Sequence, residues 1–264
     1  MADALPATIT RKRAVFRNAL GYAAELGLLP ANPLSQIAWR PPYHCAAGMA
    51  LGADDLTYLG SDVFQRIMRA LQARDDLLRA MNRKQDIDVA EDALIALDTC
   101  LVFLVGALDA AARVAHRVLG LAPGRVRRAG WRSSSWLKDV AAKAPSLAEV
   151  VAAGTPGRDT LTILTLLRNT VREAGLPALA VAGLPGRPGE TLAGLPRGDS
   201  AQILAAFNRR GGHEAWGPRE LLPGRLHAEP GVLPGRLLPA VIELLNELMT
   251  GTPAGTLSGV SLKD

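Results

Sequence analysis

The sequence predicts an all-α protein, a helical bundle around one long buried central helix, with an appended N-terminal helical arm and loops rich in proline and glycine. Residues 86–120 form the longest periodic apolar segment, with leucines at three- and four-residue spacing, which places them on one helix face. Hydrophobic residues make up 48% of the chain but aromatic residues only 4%, so aliphatic side chains must fill the core. Leucine- and alanine-rich sequence favours helices over strands.

The central helix at 86–120 is predicted to be buried on most sides. Ile95, Val102 and Val105 widen its leucine face until the middle is apolar most of the way round, and such a helix lies in protein or in lipid. Its uninterrupted apolar run, residues 100–108, is far shorter than the roughly 20 residues of a membrane span. We therefore expect the core helix of a soluble domain and no membrane.

Two polar residues of the central helix carry expectations of their own. Asp98 interrupts the apolar surface, and we expect an arginine from a neighbouring helix to pair with it. The alternative is a functional carboxylate with a raised pKa. His116 lies near the end of the helix, where the dipole favours a cation, and we expect it at the surface.

Shorter amphipathic segments predict the remaining helices of the bundle. Serine or aspartate caps their starts, and proline or glycine ends them. The connection between the helix at 59–83 and the central helix is short, so these two helices should be antiparallel. The segments at 175–200 and 219–227 are punctuated by proline and glycine and are predicted to be loops and turns. The helices are predicted at residues 59–83, 133–143, 159–174, 199–210 and 233–249.

These elements give a domain organisation of four parts. We predict an arm at 1–42, a linker at 43–58, a helical bundle domain at 59–250 and a flexible tail at 251–264. The linker assignment rests on mixed proline, glycine and short apolar stretches without a period.

Composition limits the classes of function. The formal net charge is +5, which suits an acidic partner without requiring one. The two cysteines form neither a disulfide framework nor a CxxC pair, so a reducing, cytoplasmic setting is expected. The N-terminus lacks the apolar core of a secretory signal. His44-Cys45 has no second ligand pair at metal-binding spacing, and we expect neither a metal nor a cofactor.

The N-terminal arm carries a cluster of basic residues at the start of a predicted helix. Cations are unfavourable there because of the helix dipole. A nucleic-acid backbone is one partner that would use them, and a solvated basic surface is the alternative. The cluster consists of Arg11, Lys12, Arg13 and Arg17, with Asn18 beside them.

Residues 7–42 combine the basic cluster with a series of apolar and turn residues: Thr8-Ile9, Arg11-Lys12-Arg13, Phe16, Asn18-Ala19-Leu20, Tyr22-Ala23, Glu25-Leu26, Asn32-Pro33-Leu34 and Trp39. This series resembles the last helices of the core-binding domain of tyrosine recombinases of the phage-integrase type. The resemblance implies a helical fold and DNA as a partner, because that domain clamps one face of the DNA.

Recombinase catalysis is excluded by the rest of the chain. The family needs a nucleophilic tyrosine near the C-terminus and an HxxR pair, whereas the tyrosines here are Tyr22, Tyr43 and Tyr58. None of the four histidines is followed by arginine three residues later. Without the nucleophile, the phosphotyrosine step cannot occur, and the sequence weighs against an enzyme.

Residues 121–143 combine basic and aromatic side chains. Arg125, Arg127, Arg128 and Arg132 interleave there with Trp131 and Trp136. Arginines contact phosphates and aromatic rings stack on bases, so this pattern suits nucleic acid. The alternative is that these side chains pack on one another as ordinary loop structure.

Leu167-Arg168-Asn169-Thr170-Val171 resembles the Arg-Asn signature of HEPN domains, which are helical bundles and often RNases of toxin and defence systems. In that family an arginine and a histidine act on the scissile phosphate. The histidine position of the R-x(4–6)-H motif is not filled here: Arg172, Glu173 and Ala174 follow. Structural hydrogen bonds by Arg168 and Asn169 are the alternative.

These observations favour a non-catalytic DNA-associated protein. A HEPN-like defence component with degenerate or absent RNase activity, and a structural interaction module, are the alternatives. The expected partners are DNA first, RNA second, and a protein partner or a second copy of the chain.

Overall fold

The computed structural model describes residues 54–83, 87–174, 176, 178–181, 190–196 and 198–253. Within them helices predominate, which confirms the predicted all-α class. The predicted N-terminal arm, most of the predicted linker and the tail from residue 254 lie outside the described residues.

The elements follow one another along the chain with short connections. The helices are α1 (Asp54–Met81), α2 (Ile87–Val118), a 3-10 helix (Pro123–Arg128), α3 (Ser134–Lys143), α4 (Pro145–Glu149), α5 (Pro156–Ala174), α6 (Ser200–Arg209), α7 (Gly212–Trp216) and α8 (Val232–Gly251). The strands are β1 (Ala178–Val181), β2 (Glu190–Gly194), β3 (Arg219–Leu222) and β4 (Arg225–Ala228).

Helices α1 and α2 form an antiparallel hairpin, as predicted. Arg69 lies over the Phe103 ring at 5.5 Å from its centroid, and Arg83 pairs with Asp92 at 2.8 Å, so residue numbers rise on one helix as they fall on the other. Helix α1 begins at Asp54 rather than at residue 59, which makes the end of the predicted linker helical. Its C-terminal boundary agrees with the prediction within two residues.

Helix α2 forms the centre of the core, although one of its faces is open to solvent. Its leucines and alanines are buried on the sides that contact α1, α5 and α8. Ile95 is 64% exposed and Val102 is 47% exposed, so the helix is not enclosed on all sides. The sequence suggested enclosure because apolar residues surround the axis, but no element in the described part of the chain covers Ile95 and Val102 completely.

By length and hydropathy, α2 is the one helix in the described part of the chain that could cross a membrane. Its apolar residues pack instead against other helices of the same domain. Asp98 and Asp109 interrupt its apolar surface, and charged residues are costly within a bilayer. These observations favour a helix packed within the domain over a membrane span.

Helices α5 and α8 complete the core around α2. Ile163, Leu164 and Leu167 are the buried face of α5, and Leu237 and Val241 belong to the buried face of α8. Their three- and four-residue spacing is that of an amphipathic helix, which is why the sequence predicted both.

An ion pair between a buried carboxylate and a half-exposed arginine fixes α6 on α5. The Asp159 carboxylate is 5% exposed and accepts from Arg209 Nε at 2.9 Å and from Arg209 Nη2 at 2.7 Å. Two-point contacts of this kind hold both groups in a defined orientation. Residue 159 was predicted only as the start of a helix, whereas α5 begins at Pro156.

A four-stranded antiparallel sheet occupies the segments at 175–200 and 219–227, so the prediction of loops there was wrong. The strand order is β1-β2-β4-β3, and β2 pairs with β1 from Ala178↔Ala193 to Val181↔Glu190. Each strand has only four or five residues. The alternation that identifies a strand needs a longer window, and the flanking prolines and glycines dominated the sequence pattern.

Candidate nucleic-acid interface

The basic segment, residues 123–132, begins immediately after the end of α2. Gly120 has φ +57°, a left-handed conformation that glycine adopts without strain. The Leu121 N–H donates to the His116 carbonyl at 3.1 Å and the Gly120 N–H donates to the Arg117 carbonyl at 3.0 Å. This is the Schellman arrangement that ends a helix, and it turns the chain into the 3-10 helix.

Arginines of the basic segment differ in their pairing. Arg125 donates to Asp139 of α3 at 2.8 Å, so its charge is matched. Arg127 and Arg128 are exposed, and neither makes an ion pair or a side-chain hydrogen bond within the described part of the chain. They are the unmatched charges of this turn.

Trp131 and Trp136 anchor the basic segment to the core. Each is 2% exposed, and their rings meet edge to face at 5.1 Å. Trp131 Nε1 donates to the Leu108 carbonyl at 2.9 Å. Neither ring is available for stacking on a base, so the packing alternative holds for the tryptophans and the stacking interpretation does not.

His116 lies beneath this tryptophan pair and not at the surface, which corrects the sequence expectation. It is 1% exposed, and its Nδ1 accepts from Trp136 Nε1 at 3.1 Å. Burial lowers the pKa of His116, and the nearby Arg117 lowers it further, while the Ala122 backbone and Asp139 act in the opposite direction. A neutral ring suits this position, because Nδ1 must be unprotonated to accept.

The charge of an arginine from another element acts on Arg132. Burial lowers the pKa of Arg132, and the like charge of Arg158 in α5 lowers it further, with Asp199 opposing both effects. Two like charges that act on each other raise the local positive potential, and the Asp199 carboxylate reduces it. Arg158 had no place in the sequence prediction, because only the tertiary fold brings it to Arg132.

Arg168 and Asn169 lie on α5 and are half-buried. Arg168 Nη1 donates to Asn169 Oδ1 at 3.4 Å, and its charge also acts on Asp109 of α2. Burial raises the pKa of Asp109, while Arg168, Arg113 and Arg66 lower it. The positive charge of Arg168 therefore favours the ionised form of Asp109, an acid of the core helix.

Asp98 makes no ion pair with an arginine within the described ranges, contrary to the expectation from its sequence position. Its Oδ1 is buried and has no hydrogen-bond partner among the residues that the structure describes. Burial alone raises the pKa of Asp98 to about 6. A half-buried acid with such a pKa titrates near neutrality, which is typical of both acid–base groups and strained structural positions.

Arg113 and Arg117 add positive charge at the end of α2, just before the basic segment, and both are exposed. Neither residue was predicted from the sequence to contact nucleic acid. Their four-residue spacing places them on one face of the helix, but cations are also favoured in the last turns of structural helices because of the helix dipole.

A cavity of about 310 Å³ lies elsewhere, beside the sheet, and is lined in part by Glu190, Glu214 and Glu229. Glu190 pairs there with Arg219. Three carboxylates would repel a phosphate, so this cavity does not extend the basic surface. Within the described ranges no cluster of three or more histidine, cysteine, aspartate or glutamate side chains is arranged to hold a metal ion.

The five N-terminal residues predicted to contact nucleic acid, Arg11, Lys12, Arg13, Arg17 and Asn18, lie outside the described residues. The chain matches no family model, and no curated protein or solved structure shows significant similarity to it. The candidate interface therefore rests on the residues themselves.

Proposed function

We propose that this protein binds DNA without catalysing a reaction, and that the basic segment is one of its contact surfaces. The observation that carries the proposal is the pair Arg127 and Arg128, which are exposed and unmatched on a turn held by buried tryptophans. A fixed backbone presents these side chains without the cost of ordering a loop.

The chemistry of this surface suits phosphate groups. Guanidinium groups form two-point contacts with phosphate oxygens, and Arg132 with Arg158 adds positive potential nearby. Because the tryptophans are buried, base stacking is not part of the proposal. Contacts of this kind favour the backbone of a duplex and carry no sequence information.

The sequence supports two further parts of the proposal. The recombinase-like arm at 1–42 would add a second basic contact, with Arg11 and Arg13 as its test residues. The missing C-terminal tyrosine and HxxR pair support binding without strand cleavage, because no group is left to form the covalent intermediate.

Fluorescence anisotropy with a labelled DNA duplex tests the role of the basic segment. We expect Arg127→Ala/Arg128→Ala to weaken binding by about tenfold at low salt and to reduce the slope of log K against log salt by about 2, since each phosphate contact contributes about 0.9 to it. The matched control is Arg225→Ala/Arg236→Ala, which removes the same charge from β4 and α8.

An equal loss of affinity in the control pair would mean that binding depends on net charge and not on the basic segment. Unchanged affinity in Arg127→Ala/Arg128→Ala would show that the basic segment does not contact DNA. Arg11→Ala/Arg13→Ala measures the arm in the same assay. Competition with single-stranded RNA, together with an RNA-cleavage assay of Arg168→Ala, distinguishes DNA association from the HEPN-like alternative.

A further inference from the structure

One exposed face of the core helix α2 carries charges of opposite sign at its two ends. Asp88 and Glu91 are exposed near its start, and Arg113 and Arg117 near its end. Ile95 and Val102 lie exposed between them on the same face, because all the separations are sums of three and four residues. We call these six residues the α2 stripe.

The charges of the α2 stripe alone have an ordinary explanation. Acids at the start and bases at the end of a helix are favoured by its dipole. The dipole does not explain the apolar centre, where a β-branched residue 64% exposed is followed two turns later by another 47% exposed. Exposed apolar residues flanked by charge are typical of a contact surface.

Because acids lie at one end of the α2 stripe and bases at the other, two copies of the stripe are complementary in charge when they run antiparallel. Val102 stands eleven residues from Glu91 and eleven residues from Arg113. Two such helices placed antiparallel about Val102 would bring Glu91 of each copy to Arg113 of the other and the two Val102 side chains together, with Ile95 opposite Asp109. A parallel arrangement would instead place like charges together, which is unfavourable.

We infer that two copies of this chain associate through the α2 stripe, with the two α2 helices antiparallel about a two-fold axis near Val102. Such an interface uses the same surface on both subunits. The helix has 32 residues and is therefore about 48 Å long, which allows contact over several turns. The inference is independent of the proposed DNA binding.

Sedimentation velocity on the full chain at low ionic strength tests the association. We expect a concentration-dependent dimer that Val102→Glu converts to monomer, because the substitution places a carboxylate at the centre of both stripes. The matched control is Leu221→Glu on β3, a residue 43% exposed, and we expect that variant to dimerise like the unmodified chain.

Charge reversal tests the antiparallel arrangement. We expect Glu91→Arg alone and Arg113→Glu alone each to weaken the dimer by about tenfold. The double variant restores opposite charges between the copies, so we expect it to dimerise again. Circular dichroism on each variant confirms that the helices are intact, and these exposed sites keep the test valid even if Val102→Glu unfolds.

An unmodified chain that sediments as a monomer at every concentration overturns the inference, and leaves the face to another partner. Dimers that survive Val102→Glu in a folded chain, or that are lost in Leu221→Glu to the same degree, also overturn it. A double charge variant that is weaker than both single variants excludes the antiparallel arrangement.

Discussion

Trp131 and Trp136 show, at the scale of single residues, why a basic and aromatic pattern has two interpretations. An indole stacks on bases in one setting and fills a core in another. Here a carbonyl of α2 and the ring of His116 accept the two indole hydrogens, and those partners lie 20 or more residues away in sequence. The arginines were predictable as exposed charges, but the role of the tryptophans required the tertiary fold.

Asp98 gives a prediction at the same scale. Its pKa of about 6 lies above the ordinary value of 3.8, so the folded state holds the proton more tightly than the unfolded state. The folded state is therefore not penalised below pH 4, and the penalty grows as pH rises from about 4 to 6. We expect Asp98→Asn to raise the free energy of unfolding by about 1 kcal/mol at pH 7.5, allowing for partial solvation.

Urea denaturation of Asp98→Asn at pH 7.5 and pH 4 measures this effect. Most of the gain should be lost at the lower pH, because the Asp98 carboxyl is then protonated in the folded state and its burial carries no charge penalty. Asp76→Asn is the control, since its carboxylate lies in an exposed pair with Arg79. A gain for Asp98→Asn of the same size at both pH values would contradict the assignment to ionisation.

At the scale of elements, the long periodic segment was predicted correctly and the short strands were not. Helix α2 was predicted to within two residues at its ends, because 32 residues give many repeats of one pattern. The strands were missed because four or five residues give too few alternations to identify a strand. The chain is also rich in turn signals, so Gly224, which has φ +69° in the β3–β4 turn, did not stand out as the turn of a hairpin. Short strands acquire their identity from their neighbours in the sheet.

The contact between α5 and α6 yields a prediction based on a buried carboxylate. Asp159→Asn removes the charge that Arg209 contacts at two points, and we expect it to lower the free energy of unfolding, because the carboxylate at residue 159 is 5% exposed and would lose its charged partner's hydrogen bonds. Glu243→Gln is the matched control, because its 3.7 Å pair with Arg210 is exposed, and it should cost less than about 0.5 kcal/mol. Thermal unfolding compares them, and equal losses would contradict the ranking by burial.

Two helix glycines make opposite predictions. A Cβ on Gly157 would lie 2.5 Å from the Val150 carbonyl oxygen and 2.9 Å from a Leu244 methyl group, whereas a Cβ on Gly235 would meet nothing within 4 Å. We expect Gly235→Ala to stabilise the protein by about 0.5–1 kcal/mol and Gly157→Ala to destabilise it. Chemical denaturation of both variants measures the difference, and stabilisation by Gly157→Ala would contradict the close approach.

At the scale of the whole molecule, charge is unevenly distributed over a core of aliphatic residues. The net charge of +5 gave no indication of where the positive surface lies. The fold collects Arg113, Arg117, Arg127 and Arg128 around the end of α2, while carboxylates line the cavity beside the sheet. Arg127 and Arg128 were predicted because they are consecutive in one segment. Arg113 and Arg117 were not predicted, because they belong to a separate element.

In the basic segment, the residues that hold the turn in place differ from the residues that the turn exposes. Trp131 and Trp136 fix its course, whereas Arg127 and Arg128 contribute nothing to that packing. A Cβ at Gly124 or Gly130 would meet no neighbour, so side chains of many sizes fit at both positions. Natural variation can therefore change the side chains that this turn presents while the domain beneath it stays unchanged, and a protein engineer can graft a foreign recognition loop at the same place.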